Sequence, residues 1–101
     1  MSRSLPKPPK IVDLHADAFL RDIEDYDVDE LLANSLDHLR EQLDAAIYWS
    51  MSEIKFIHGK GKGILRNAVY AELQQYKNAG AISHFHPFYA NEDIVVVFIG
   101  I

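Results

Sequence analysis

The run His58-Gly59-Lys60-Gly61-Lys62-Gly63 constrains this chain more than any other segment. It follows a β-rich stretch, Glu53–His58. It precedes a stretch of helical period, Ile64–Lys77, in which Leu65, Ala68, Val69, Leu73 and Tyr76 fall on one face. Alternate glycines turn the chain sharply and leave no side chain in the way of a group approaching the backbone. Strand, glycine turn and helix make half of a β-α-β unit, and such turns cradle anions.

The remaining segments extend this unit in both directions. Lys10–His15 is a short first strand, and residues 16–27 form an acidic loop with one helical turn. Asp27 caps a long helix over 28–50, where Val28, Leu32, Leu36, Leu39, Leu43, Ala46 and Ile47 step by three and four. Asn78-Ala79-Gly80 ends the second helix, with Gly80 as a left-handed C-cap. Ile82–Tyr89 is a third strand interrupted or ended by Pro87, Asn91-Glu92-Asp93 a turn, and Ile94–Ile99 the last strand. The order β-α-β-α-β-β predicts an α/β (α+β) two-layer sandwich, with two helices on a mixed four-stranded sheet whose last two strands form a hairpin. Residues 1–10 are expected to be a proline-rich linker or tail, joining a domain at 11–101 to an upstream domain of a longer protein.

Composition narrows the function classes. The chain has 101 residues and no cysteine, which excludes a disulfide framework, a thiolate metal site and a Cys nucleophile. The longest apolar run, Ile94–Ile99, is too short to span a bilayer, and the start lacks a signal-peptide core, so a cytoplasmic protein is expected. The net charge of −5 argues against a nucleic-acid partner, but its distribution weakens that argument. Residues 13–44 carry −9, whereas residues 45–66, which contain the glycine run, carry +3.

Two features meet at the carboxyl ends of the first two strands, where open sheets bind ligands. Asp13 and His15 lie two apart on a strand and share a face. His58 and the turn Gly59, Lys60, Gly61, Lys62 and Gly63, with Arg66 in the helix that follows, offer backbone amides and positive charge. Two histidines, one carboxylate and an anion cradle suit a phosphodiester hydrolase or a phosphate-binding site. Elsewhere, His84 and His86 share a strand face and are expected to be polar residues on a solvated surface. His38 is expected on a helix surface, and Tyr48 and Trp49 against the sheet edge.

Val12-Asp13-Leu14-His15, followed by a long helix and then by Ile57-His58-Gly59-Lys60-Gly61-Lys62-Gly63-Ile64-Leu65-Arg66, resembles the small MutS-related (Smr) domain family. The stretch from Leu36 to Ile47 is similar to the variant found at the C-terminus of some longer bacterial proteins. The resemblance implies a fold similar to the C-terminal domain of translation initiation factor three. It also implies nucleic-acid binding, DNA or RNA, with nicking or endonuclease activity. Asp13 and His15 match the family's strand motif, and His58, Gly59, Gly61 and Gly63 its glycine loop. Ala16 stands where the family usually has glycine, and the last segment lacks the family's glycine-rich turn.

Three functions compete on these residues. In a phosphodiesterase, His15 or His58 serves as general acid or base, Asp13 orients a histidine or binds a metal ion, and the loop holds the phosphate. No cofactor is fixed by the sequence; a divalent metal such as Mg enters if water must attack DNA. In a non-catalytic module the loop binds nucleic acid or phosphate without turnover. In a protein-interaction domain the acidic segment and the sheet surface carry the binding.

Overall fold

The computed structural model describes residues 5–100. Its elements are β1 (Ile11–Asp13), α1 (Val28–Tyr48), β2 (Glu53–Ile57), α2 (Ile64–Asn78), β3 (His84–Phe88) and β4 (Asn91–Phe98). The β-α-β-α-β-β order and the mixed four-stranded sheet are as expected, and the strands lie in the order β1-β2-β4-β3. β1 runs parallel to β2, and β4 runs antiparallel to both β2 and β3. Hence β1, β2 and β3 all point one way, with their carboxyl ends along one edge.

The core forms on one face of this sheet. Val12, Ile54, Phe56, Val95 and Val97 alternate inward and pack with Leu39, Leu43 and Ala46 of α1 and Val69 and Leu73 of α2. β4 lies between β2 and β3, and its Val95, Val96 and Val97 are all buried, the near-continuous apolar run of an interior strand. Among the described residues no helix lies on the opposite face, where Ile11, Lys55, Val96 and His86 form one register row. Among the described residues, no helix is long and apolar enough to cross a membrane.

Several boundaries differ from expectation for local reasons. β1 ends at Asp13 because the His15 amide leaves the ladder and donates to the Asp13 carboxylate at 2.9 Å. β4 begins at Asn91, not Ile94, because Phe88 pairs with Asn91 across a two-residue turn. Pro87 stays inside β3, on an edge strand where its missing N–H is tolerated, beside a register shift. Residues 16–27 hold two short 3-10 turns, Ala16–Ala18 and Ile23–Asp25, in place of one helical turn. Val28 was expected on the core face of α1 and is 72% exposed, since it opens the helix before that face meets the sheet.

α1 is capped at its start, and both helices are closed at their ends. The Asp27 carboxylate accepts from the Glu30 amide at 2.8 Å, and Glu30 reaches back to the Asp27 amide at 3.0 Å, a capping box. α1 ends two residues before the expected 50 because Ser50 turns left-handed at φ 56°. The Met51 amide then donates to the Ala46 carbonyl, as the Ala81 amide does to the Tyr76 carbonyl after α2. Gly80 fills the second of these equivalent positions without strain, whereas Ser50 carries a Cβ in a conformation that disfavours one. Ser50→Gly is therefore expected to stabilise the fold by about 0.5–1 kcal/mol, and Gly80→Ala to destabilise it by about 1 kcal/mol. Thermal unfolding checks both, at roughly 4–8 °C per kcal/mol for a domain of this size.

Candidate functional site

Asp13 and His15 lie at the carboxyl end of β1, beside the end of β2. Leu14, between them, is fully buried, and its amide donates to the Ile57 carbonyl at 3.0 Å. Its own carbonyl accepts from the buried Ser35 hydroxyl of α1 at 2.7 Å. The backbone between the two polar residues is thus held by both the sheet and α1. One carboxylate oxygen of Asp13 lies 2.9 Å from the His15 amide and 2.7 Å from His15 Nδ1. A carboxylate only accepts, so Nδ1 carries the proton and the Nε2 lone pair of the neutral ring stays free. The His15 side chain is 47% exposed, open to a ligand.

The glycine turn meets this histidine directly. Gly59 has φ 78°, and a Cβ built on it would collide with His15 Nε2. Position 59 must therefore lack a side chain for two reasons, its backbone conformation and the imidazole over it. Gly63 is similar: φ is 83°, and a Cβ there would lie 2.8 Å from the Arg66 guanidinium. His58 and Gly59 both donate their amides to the Asp93 carbonyl, at 2.9 and 3.0 Å, so β4 consumes the first two amides after β2. An anion is left to the turn beyond Gly59 and to the first turn of α2, whose amides have no partner within the helix.

His58 is placed differently from His15. It is only 3% exposed, its Nδ1 donates to the Gly59 carbonyl at 2.8 Å, and its ring meets Tyr70 edge-on at 6.0 Å. Among the described residues, His58 Nε2 is buried without a hydrogen-bond partner. Leaving such a group unpaired costs about 1–3 kcal/mol, which marks His58 as a residue held in place against a penalty.

A cavity of about 240 Å³ opens at the turn, lined by His58, Gly59, Lys60, Gly61, Gly63, Arg66, Glu92 and Asp93. Lys60, Lys62 and Arg66 are exposed around it. Lys62 does not line the cavity itself. Sequence reasoning missed Glu92 and Asp93, which reach the cavity because β4 lies beside β2. The acidic segment after His15 does not line the cavity. Its first turn packs on α1, where Phe19 stacks on His38 at 4.2 Å between ring centres.

His38 was expected on the helix surface and is instead half-buried under Phe19. Burial holds its pKa below the ordinary histidine value, while the charges of Glu41 and Asp13 act in the opposite direction. Among the described residues, no three His, Asp or Glu side chains gather to hold a metal ion.

Together these features define an open α/β sandwich with an Asp–His pair facing a glycine-rich, lysine-bearing turn. The Smr domain family profile matches residues 22–99, most of the chain, and the chain belongs to that family. The family is associated with nucleic-acid binding and nicking. The chain is also similar to the crystal structure of the Smr domain of Thermus thermophilus MutS2, with a TM-score of 0.68 at 23% identity, covering 91% of this chain and 99% of that one. At that identity the likeness establishes the fold. No curated protein matches the sequence.

Two predictions follow from the geometry. Gly59→Ala should displace the His15 ring while leaving the fold intact, seen as a large shift of the His15 ring resonances with unchanged circular dichroism. His38 binds its proton less tightly folded than unfolded, so stability is lost as pH falls from the unfolded value of about 6.5 toward the lower folded one. Thermal midpoints between pH 8 and pH 5 should drop less steeply in His38→Gln than in the wild type.

Proposed function

We propose that this Smr domain binds nucleic acid on its glycine turn and cleaves a phosphodiester bond there, with His15 as general base. The observation that carries this reading is the His15 ring. Asp13 fixes its Nδ1–H, and its free Nε2 lies against Gly59 at the mouth of the turn. A nucleophilic hydroxyl between Nε2 and a phosphate gives its proton to Nε2 as its oxygen attacks phosphorus, and the leaving oxygen is protonated by solvent. The hydroxyl is the ribose 2′-OH on RNA, which yields a cyclic phosphate, or water on DNA, which yields a nick.

The turn supplies the electrostatics. Lys60, Lys62 and Arg66 offset the charge that builds on the phosphate, and the first-turn amides of α2 add directed donors. Asp13 keeps His15 in the tautomer the reaction needs. His58 serves as a positioning residue: through the Gly59 carbonyl it sets how closely the turn approaches His15. A second reading, binding without cleavage, rests on Glu92 and Asp93 on the cavity wall, whose charges oppose the additional negative charge that builds on a phosphate under attack more than the single charge of a bound phosphodiester.

Cleavage of labelled RNA and nicking of supercoiled plasmid separate these readings. The wild type is expected to cut at least one of them, and His15→Ala to lose about 10²–10⁴-fold in rate. Equal cutting by both proteins would refute the assignment. His58→Ala should lower the rate less than His15→Ala does, because the base is His15. A larger loss in His58→Ala than in His15→Ala would make His58 the base instead. Lys60→Glu with Lys62→Glu should weaken binding and flatten its dependence on salt.

A further inference from the structure

The face of the sheet opposite the helices is the largest feature that the proposed site leaves unexplained. Half of it is aromatic. His84 and His86 of β3 are exposed and lie 5.9 Å apart with their rings 24° from parallel. His84 stacks on Phe98 of β4 at 4.5 Å, and Phe88 lies at the end of the same strand face. Tyr89, at the hairpin turn, meets Phe88 edge-on at 5.1 Å and is 92% exposed.

The other half is basic. The extended segment before β1 is tied down by its Leu5 carbonyl, which accepts from the Trp49 indole at 2.7 Å, and by the Lys10 carbonyl, which accepts from the Lys55 amide. Between this segment and β2 runs a groove of about 710 Å³ where Lys7, Lys10 and Lys55 face Glu53. Three positive charges meet one negative charge there. Lys55 joins the two halves: it pairs with Glu53 at 2.8 Å and lies over the Phe88 ring at 5.3 Å.

A basic groove beside a row of exposed rings is the arrangement that holds a single strand of nucleic acid, the groove following the phosphates and the rings stacking bases. The face also continues into the proposed site, since Asp13 pairs in register with Ile57 and Ile57 with Ile94. We infer that this sheet face is a second nucleic-acid surface, which holds single-stranded RNA or DNA by base stacking on His84, His86 and Tyr89 and by phosphate contacts to Lys7, Lys10 and Lys55. A duplex, whose bases are already stacked, gains nothing from the rings. The inference rests on the nucleic-acid reading of the glycine turn and extends it to the form of the substrate.

Fluorescence anisotropy with a labelled oligouridine, an oligothymidine of the same length and a DNA duplex of the same length tests it. The substitutions fall on exposed residues outside the glycine turn: Tyr89→Ala, and His84→Ala with His86→Ala. Each is expected to weaken binding of the single strands about tenfold or more and to leave duplex binding unchanged. Preference for oligouridine over oligothymidine would assign the surface to RNA, and equal affinity to single strands of either kind. Single-strand binding unchanged in both variants would overturn the inference, as would a wild type that binds only the duplex. A wild type that dimerises in light scattering, with Tyr89→Ala monomeric, would overturn it in favour of a second copy of the chain. Duplex binding that survives any of these results leaves the glycine-turn reading standing. Binding of neither form sinks both.

Discussion

The close approach of the His15 ring to the Gly59 backbone is the contact on which the rest of the site depends. It requires three things at once. Position 59 must lack a side chain, β1 must lie directly beside β2, and the His15 ring must be held at a fixed angle by Asp13. Each requirement is met by a different level of structure: the glycine by sequence, the strand pairing by the core, the ring by a local hydrogen bond. The core secures the strand ends because Val12 and Leu14 on one side and Phe56 on the other are buried under both helices.

β4 has a less obvious part in the same arrangement. Its Asp93 carbonyl accepts the amides of both His58 and Gly59, so the start of the glycine turn is fixed from the far side as well. This fixing has a cost, because it removes those two amides from anion binding and brings the carboxylates of Glu92 and Asp93 to the cavity. The electrostatics of the site is a balance between the cations of the turn and these two acids. It differs from the balance implied by the chain's net charge. The block of −9 at residues 13–44 lies mainly along α1 and the two turns that precede it, while the acids on the cavity wall come from a segment with little net charge.

Much of this was legible in the sequence, and what was missed shares one cause. Helix periodicity, the Asp27 cap, the Gly80 stop and the two motifs are local signals, and the structure reproduces the elements they predict. The position of β4 between β2 and β3 is non-local, although the run Val95-Val96-Val97 carried a signal for a central strand. The burial of His58 and the Phe19–His38 stack likewise depend on which elements meet, which no local pattern encodes. The same holds for the open sheet face: β3 reads as two solvated histidines until Phe98 and Lys55 are set beside it.

The central claim is that His15 is a base prepared by Asp13 and aimed at the glycine turn. Long-range ¹⁵N–¹H correlation of the histidine rings at neutral pH tests it most directly. The account predicts that His15 carries its proton on Nδ1, with Nε2 bare, and that added oligonucleotide moves the His15 Nε2 resonance more than that of His58. A proton on Nε2 of His15, or an oligonucleotide response confined to His58, would contradict it.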